Sequence, residues 1–345
     1  MADNVRLGLI GVGNWMRRRM LPTFKVVPGA QFQAVANRSM ASSEKAAEEF
    51  DVPVALGDWK ELVKREDIDA VVIGTPPYLH LEAVMTALEA GKHVLCVPHI
   101  TMSNVDDLKT MQRKSEQTGR KFQVYSSPAP RAQTYIRRLV DTGYLGEVRQ
   151  VFSHGYSGEL ADPNSPIAGR ADQRYYGTIN AMAIGITWDA VRRWLPGPDR
   201  VLAWQKTFVT QRRDGENGPM VPIETADAVT VVGEITGGPV ITYIQSRVTR
   251  FGEGHYDIFG TEGTLRFAGT EDLKGARVGD KELAPLTIPD DVPESPDPEA
   301  EFIRLVKGEI AQPTYTYDRI LQRTEFHEGS TRSAKDGRWV DLPKH

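Results

Sequence analysis

The sequence predicts an α/β domain joined to an α+β domain. Residues 1–127 read as a doubly wound parallel sheet, and residues 128–345 as a unit built on a largely antiparallel open sheet. Three observations predict this. Short, almost wholly apolar runs alternate with helix-period segments as far as residue 125. A connector, Ser126-Ser127-Pro128-Ala129-Pro130, then interrupts the pattern. Beyond it the apolar runs lengthen and alternate with polar residues. Parallel strands buried on both faces read as continuous apolar runs, whereas a sheet with one covered face alternates.

In chain order, Val5–Ile10, Gln31–Ala36, Ala70–Gly74, His93–Val97 and Phe122–Tyr125 are the expected buried strands. Leu81, Val84, Met85 and Leu88 form one helical face, with Pro77 in the first turn and Gly91 just past the last. Ser103 is the expected N-cap of the next helix, which ends near Gly119. Repeated strand–helix units imply parallel pairing. A bridging helix follows the connector and stops before Gly143. Longer strands are expected at Val148–Tyr156, Val201–Val209, Ala226–Ile235, Val240–Val248 and His255–Phe267. Helices are expected at 179–195, 298–306 and 317–335, with an acidic, proline-rich surface loop from Asp290 to Glu299.

The length, 345 residues, exceeds what one hydrophobic core usually organises. A net charge of −4 leaves no basic excess for nucleic acid. Arg17-Arg18-Arg19 is the one basic run, read as a solvated helix face with a nucleotide phosphate as its other use. No apolar run approaches the ~18 residues of a membrane span. The N-terminus enters a core strand by Val5, so a cleavable signal is not expected. Cys96 is the sole cysteine and reads as a small buried hydrophobe, which fits a cytoplasmic protein.

The strand Val5–Ile10 runs into Gly11-Val12-Gly13, and a helix opens behind it through Asn14 and Trp15. In this setting Gly11 makes a tight turn and Gly13 admits a pyrophosphate to the helix N-terminus, as in dinucleotide-binding domains. Met16 replaces the third glycine of the pattern, so helix and strand are expected to pack slightly further apart. At the end of the second strand NAD-selective proteins place a carboxylate on the ribose; here stand Asn37, Arg38 and Ser39. A 2′-phosphate could be held by Arg38, so NADP is expected over NAD, with NAD still possible.

Together with Thr75-Pro76-Pro77, His80, Gly91-Lys92-His93-Val94, Gly146-Glu147-Val148, Arg193-Trp194-Leu195 and Gly260-Thr261-Glu262-Gly263, these features resemble the Gfo/Idh/MocA family, which includes glucose–fructose oxidoreductase and inositol dehydrogenases. The resemblance covers nearly the whole chain. It implies a Rossmann domain, a nicotinamide cofactor and a carbohydrate-like substrate. It also implies a homodimer or homotetramer formed through the open face of the second sheet, for which Val229, Val231, Ile241 and Tyr243 are candidate residues. Thr75, Pro76, Pro77 and His80 are placed beside the cofactor by the same likeness.

The sequence departs from that family at its chemistry. The family's Glu-Lys-Pro falls on Val97-Pro98-His99, and a one-residue slide still recovers no lysine. Its signature helix falls on Ala183, Gly185, Thr187 and Ala190, replacing the acid, the histidine and the last aspartate. Loss of a hydroxyl proton during hydride transfer needs a base, worth about 10²–10⁴ in rate. The candidate catalytic set is therefore His99, Asp189 and Tyr176. A cis Val97–Pro98 bond is one way to re-aim His99. His154 and Tyr156 share a strand face, and Arg170 or Arg174 could hold a carboxylate. The histidines lack metal-ligand spacing, so no metal is expected. Three readings follow: an NADP(H)-dependent oxidoreductase acting on a sugar, polyol or related hydroxy compound with a non-standard catalytic set; a non-catalytic nucleotide- or sugar-binding regulator; or a lyase or hydrolase on the same fold.

Overall fold

The computed structural model describes residues 4–99, 104–167, 172–177 and 181–345, and the side chains of all of these except 181–183. The chain forms two compact units: residues 1–128 with 296–321, and residues 129–295 with 322–345.

The first unit carries a six-stranded sheet: β1 (Val5–Ile10), β2 (Ala30–Ala36), β3 (Val54–Leu56), β4 (Ala70–Ile73), β5 (His93–Cys96) and β6 (Phe122–Val124). The order is β3-β2-β1-β4-β5-β6, and every pairing is parallel. The chain reverses its direction of growth between β1 and β4, the position at which doubly wound sheets bind ligands beyond their strand ends. Alternate side chains enter two cores. Ala70, Val72 and Leu95 join one with Leu7 and Leu9; Val71, Ile73, Val94 and Cys96 join the other. Burial on both faces is why these runs carry no polar alternation. Cys96 is fully buried, as expected, and burial pushes its thiol pKa well up.

The helices are α1 (Leu21–Val26), entered through a π-helical turn at Met16–Met20, then α2 (Met40–Phe50), α3 (Trp59–Val63), α4 (His80–Glu89) and α5 (Val105–Thr118). Met16 packs closely against Gly74, just past β4. Gly74 makes room, since a Cβ there would lie 1.8 Å from the Met16 sulfur. Ser103 lies outside the described residues. The cap of α5 is Asn104, whose Oδ1 accepts from the Asp106 and Asp107 amides at 2.8 and 3.3 Å.

The second unit begins with α6 (Arg131–Asp141) and β7 (Val148–Tyr156), followed by α7 (Gln173–Tyr176) and α8 (Ala181–Val191). Then come β8 (Arg200–Lys206), β9 (Gln211–Arg213), β10 (Met220–Pro222), β11 (Ala228–Glu234), β12 (Val240–Ser246), β13 (His255–Gly260), β14 (Gly263–Ala268), β15 (Asp272–Arg277) and β16 (Ala284–Pro285). The chain closes with α9 (Pro298–Val306), α10 (Tyr317–Asp336) and β17 (Val340–Asp341). A nine-stranded sheet runs β16-β15-β14-β13-β7-β12-β11-β8-β17, and only the β7/β12 pairing in it is parallel. Ile136, Ile184, Trp188, Val191 and Phe326 pack with Val151, Val231, Ile241 and Tyr243, so helices cover one face.

Four expectations are corrected. His255–Phe267 is not one strand but a hairpin, β13 and β14, turning at Thr261-Glu262 between two glycines. The stretch 128–345 is not one unit. Helix α9 buries Phe302 and Ile303 in a core of the first unit, because its apolar face matches that core. Glu299 is not on a surface loop but inside α9 and 1% exposed. Val229, Val231, Ile241 and Tyr243 are all buried on the helix-covered face. Strand alternation places their neighbours Val232, Thr242 and Ile244 on the other face, with Trp204 52% exposed. Among the described residues, no helix is long and apolar enough to cross a membrane.

Candidate functional site

The glycine turn is built from β1 outward. Gly11 has φ +75°, a left-handed conformation that disfavours any Cβ, and a Cβ there would lie 2.5 Å from the Thr75 methyl. The Val12 amide donates to Asn37 Oδ1 at 2.6 Å, and Asn37 is itself held through Ser43 Oγ and the Ser42 carbonyl. Asn37 therefore ties the end of β2 to the turn. Gly13 is exposed, and a Cβ on it would meet nothing within 4 Å. Nothing in the chain itself requires glycine there, which fits a space kept open for a ligand. Thr75 Oγ1 is buried and has no hydrogen-bond partner among the described residues. An open backbone turn and a hydroxyl with unused capacity suit a dinucleotide. Asn14 and Trp15 are exposed at the helix start, and the Trp15 ring meets Tyr125 edge-on at 5.0 Å.

Beyond Asn37, Arg38 is exposed and no carboxylate occupies positions 37–39. Ser39 caps α2, exchanging reciprocal hydrogen bonds with Ser42. Arg17 is committed to an ion pair with Glu49 and sits over Phe50, while Arg18 and Arg19 are exposed. Pro76 and Pro77 lead into a 3₁₀ turn, Pro77–Leu79, ahead of α4. His80 is fully buried with Nε2 2.6 Å from the Thr75 carbonyl. It fixes the Thr75-Pro76-Pro77 turn from behind, as a positioning residue.

Past β5 the chain runs Val97-Pro98-His99. No cis peptide occurs among the described residues, so proline isomerism does not re-aim His99. Its own backbone is left-handed, at φ +67°. Histidine tolerates this region better than branched residues, yet it remains an uncommon conformation of the kind that gathers at functional sites. Sequence reasoning missed Glu299 and Tyr125 in this unit. Burial raises the Glu299 carboxyl to about 7, against its hydrogen bond from Tyr125. The Tyr125 phenol is pushed up by burial and by the Glu299 charge.

In the second unit, Thr187 is buried and its hydroxyl donates to the Ile184 carbonyl at 2.9 Å, inside α8. Asp189 faces Arg323 of α10 at 2.9 Å, both side chains nearly dry. His327, one turn further along α10, is buried beside Gly185, where a Cβ would lie 2.3 Å from its Nε2. Burial first, then Arg323, pushes its pKa down to about 3. Neither Arg323 nor His327 carries a local sequence signal; both lie on a segment read only as a helix. Tyr176 ends the short α7, which Asp172 caps. Arg174 is not free to hold a substrate carboxylate, because Asp172 and Asp214 occupy its guanidinium at 2.7 and 2.9 Å. Arg170 lies outside the described residues. Trp188 is core, 2% exposed. His154 and Tyr156 do share a face, with Nδ1 3.3 Å from the phenol oxygen, but it is the face opposite α8.

Two family models match this chain: the oxidoreductase family with an NAD-binding Rossmann fold over residues 5–126, and the GFO/IDH/MocA C-terminal domain over residues 134–266. Together they cover most of its length, and the chain belongs to the Gfo/Idh/MocA oxidoreductase family, whose first unit binds a nicotinamide dinucleotide. Among its relatives is the dTDP-3,4-didehydro-2,6-dideoxy-alpha-D-glucose 3-reductase of Streptomyces violaceoruber, 36% identical over 145 residues. That match spans only 42% of each chain. The levoglucosan dehydrogenase of Pseudarthrobacter phenanthrenivorans is 25% identical over 291 residues, 77% of this chain and 74% of that one. An NAD-binding oxidoreductase from Klebsiella pneumoniae shares the fold, with a TM-score of 0.81 at 23% identity over 99% of this chain and 100% of that one.

Proposed function

We propose that the protein is an NADP(H)-dependent oxidoreductase acting on a sugar, polyol or related hydroxy compound, with His99 in place of the family lysine. The observation that carries this reading is the left-handed His99 at the end of β5. It sets an imidazole in the segment where the resemblance places the proton-handling group. Gly11, Val12 and Gly13 would hold the pyrophosphate, with Asn14 and Trp15 at the helix mouth and Thr75, Pro76 and Pro77 along one edge. Arg38 would take the 2′-phosphate, and Ser39 keeps the loop in place by capping α2. A bound nicotinamide ring supplies the hydride acceptor. His99 takes the hydroxyl proton, a task neutral imidazole performs near pH 7. Within the second unit Asp189, committed to Arg323, positions that arginine. The names of the two sugar-acting relatives support the substrate class. Association of copies through the open sheet face and a cytoplasmic setting belong to the same proposal.

A second reading, a binding protein without turnover, is favoured by one set of observations: Pro98, Thr187 and Ala190 replace titratable residues at once. The two part experimentally. On the first reading NADP(H) turns over with members of a polyol and sugar panel; binding without turnover supports the second. Arg38→Glu is expected to raise the KM for NADP at least about tenfold, the loss of one charge-assisted phosphate contact, and to leave the KM for NAD nearly unchanged. Equal effects on both cofactors in steady-state kinetics would remove Arg38 from the 2′-phosphate site.

A further inference from the structure

The histidines that look scattered in sequence are not scattered on the second sheet. His154 of β7 lies directly opposite His255 of β13 in antiparallel register, and Asp257 follows two residues on, on the same face. The two imidazoles stack with centroids 4.3 Å apart. His255 Nδ1 lies 3.3 Å from the Glu253 carbonyl, and His154 Nδ1 lies 3.3 Å from the Tyr156 hydroxyl. With their Nδ1 atoms so engaged, both rings turn Nε2 toward Asp257 Oδ2, at 3.4 Å for His255 and 3.9 Å for His154. This is the outer-shell arrangement that selects the Nε2 lone pair for a metal. We infer that His154, His255 and Asp257 form a divalent-cation site for a borderline metal of the zinc class.

The geometry fits that class. Ligand atoms around a tetrahedral ion with bonds of 2.0–2.1 Å stand roughly 3.3–3.4 Å apart. The three donor atoms lie within 4.8 Å of one another, so closing on an ion needs a shift of about 1–1.5 Å and a rotation of the stacked rings, now 21° apart, until both planes meet the ion. Two imidazoles and one carboxylate suit zinc rather than magnesium or calcium, which take oxygen ligands. Asp257 is buried and its orientation is set by Arg266, which reaches Oδ1 at 2.6 Å and Oδ2 at 3.2 Å. A carboxylate has about four lone-pair sites, so Oδ2 retains one for a metal. The guanidinium charge lowers affinity without blocking the position. In the single chain the histidine side chains are 20% and 27% exposed; they lie on the open sheet face proposed for association, so the fourth position falls to water or to a group of the second copy. Bound there, the ion would clip β7 to β13.

The test is calorimetric titration of the full chain, stripped with a chelator, with zinc chloride. One zinc per chain is expected, and His154→Gln or His255→Gln should each weaken binding at least about tenfold. His345→Ala, at a separate histidine–carboxylate pair, should leave it unchanged. No stoichiometric binding, or wild-type affinity in both glutamine variants, overturns the site. A readout on the unaltered protein guards against misfolded variants: zinc should protect His154 and His255 from diethyl pyrocarbonate, read by mass spectrometry. Unchanged labelling of both overturns the site as well.

Discussion

A His99→Asn protein is expected to lose about 10²–10⁴ in kcat while keeping its fold, the loss general-base catalysis supplies when removed. Asparagine is the informative replacement because it too tolerates the left-handed φ of +67° at this position. The backbone then stays put and only the proton acceptor goes. KM for the cofactor should move less than threefold, since His99 is not assigned to nucleotide contact. Added imidazole should restore part of the rate in His99→Gly, where the side-chain space is vacated. A His99→Asn enzyme running at the wild-type rate would return the base to another group, with Tyr176 next in line. Circular dichroism and calorimetry on the same samples separate loss of chemistry from loss of structure.

The second large effect concerns stability. Asp189→Ala strands the Arg323 guanidinium, whose side chain is 4% exposed, without its carboxylate. Removing one partner of a buried pair typically costs about 3–5 kcal/mol, because the remaining charge loses its nearest counter-charge in a dry setting. For a unit of this size that corresponds to a Tm lower by roughly 6–20 °C. Replacing both partners, Asp189→Leu with Arg323→Met, should recover much of the loss, since apolar residues of similar volume remove the desolvation problem along with the pair. The same experiment weighs Asp189 as a catalytic group. With Asp189→Asn, kcat should change less than about tenfold. A hundredfold fall in kcat at unchanged Tm and KM would make Asp189 the base instead.

Local signals carried most of the fold. β1, β7 and α9 were legible to the residue because each begins and ends on its own turn or cap chemistry and keeps one hydrophobic period throughout. β3 was not, since Val54–Leu56 spans only three residues, too few for alternation to register. Helix α9 shows in sequence that it is amphipathic, but not which core its apolar face meets. Face parity fails for a similar reason. Val229, Val231, Ile241 and Tyr243 alternate correctly, yet period two does not say which side the helices will cover. At the site, Gly11 and Asn37 were legible from motif position, and their mutual bracing through Val12 was not. The pairing of Asp189 with Arg323, and of His154 with His255, joins residues far apart in sequence, the first pair by 134 positions. Such partners become neighbours only once the sheet and α10 are assembled.

Hydride transfer without the family's lysine and histidine is the activity proposed for this chain. The most direct measurement follows NADPH absorbance as the purified protein meets NADP with a panel of sugars, anhydrosugars and polyols, and NADPH with their keto forms. Turnover is expected on at least one member, faster with the phosphorylated cofactor than with NAD. Tight binding of NADPH with no turnover in either direction, on any member, would contradict the proposed activity.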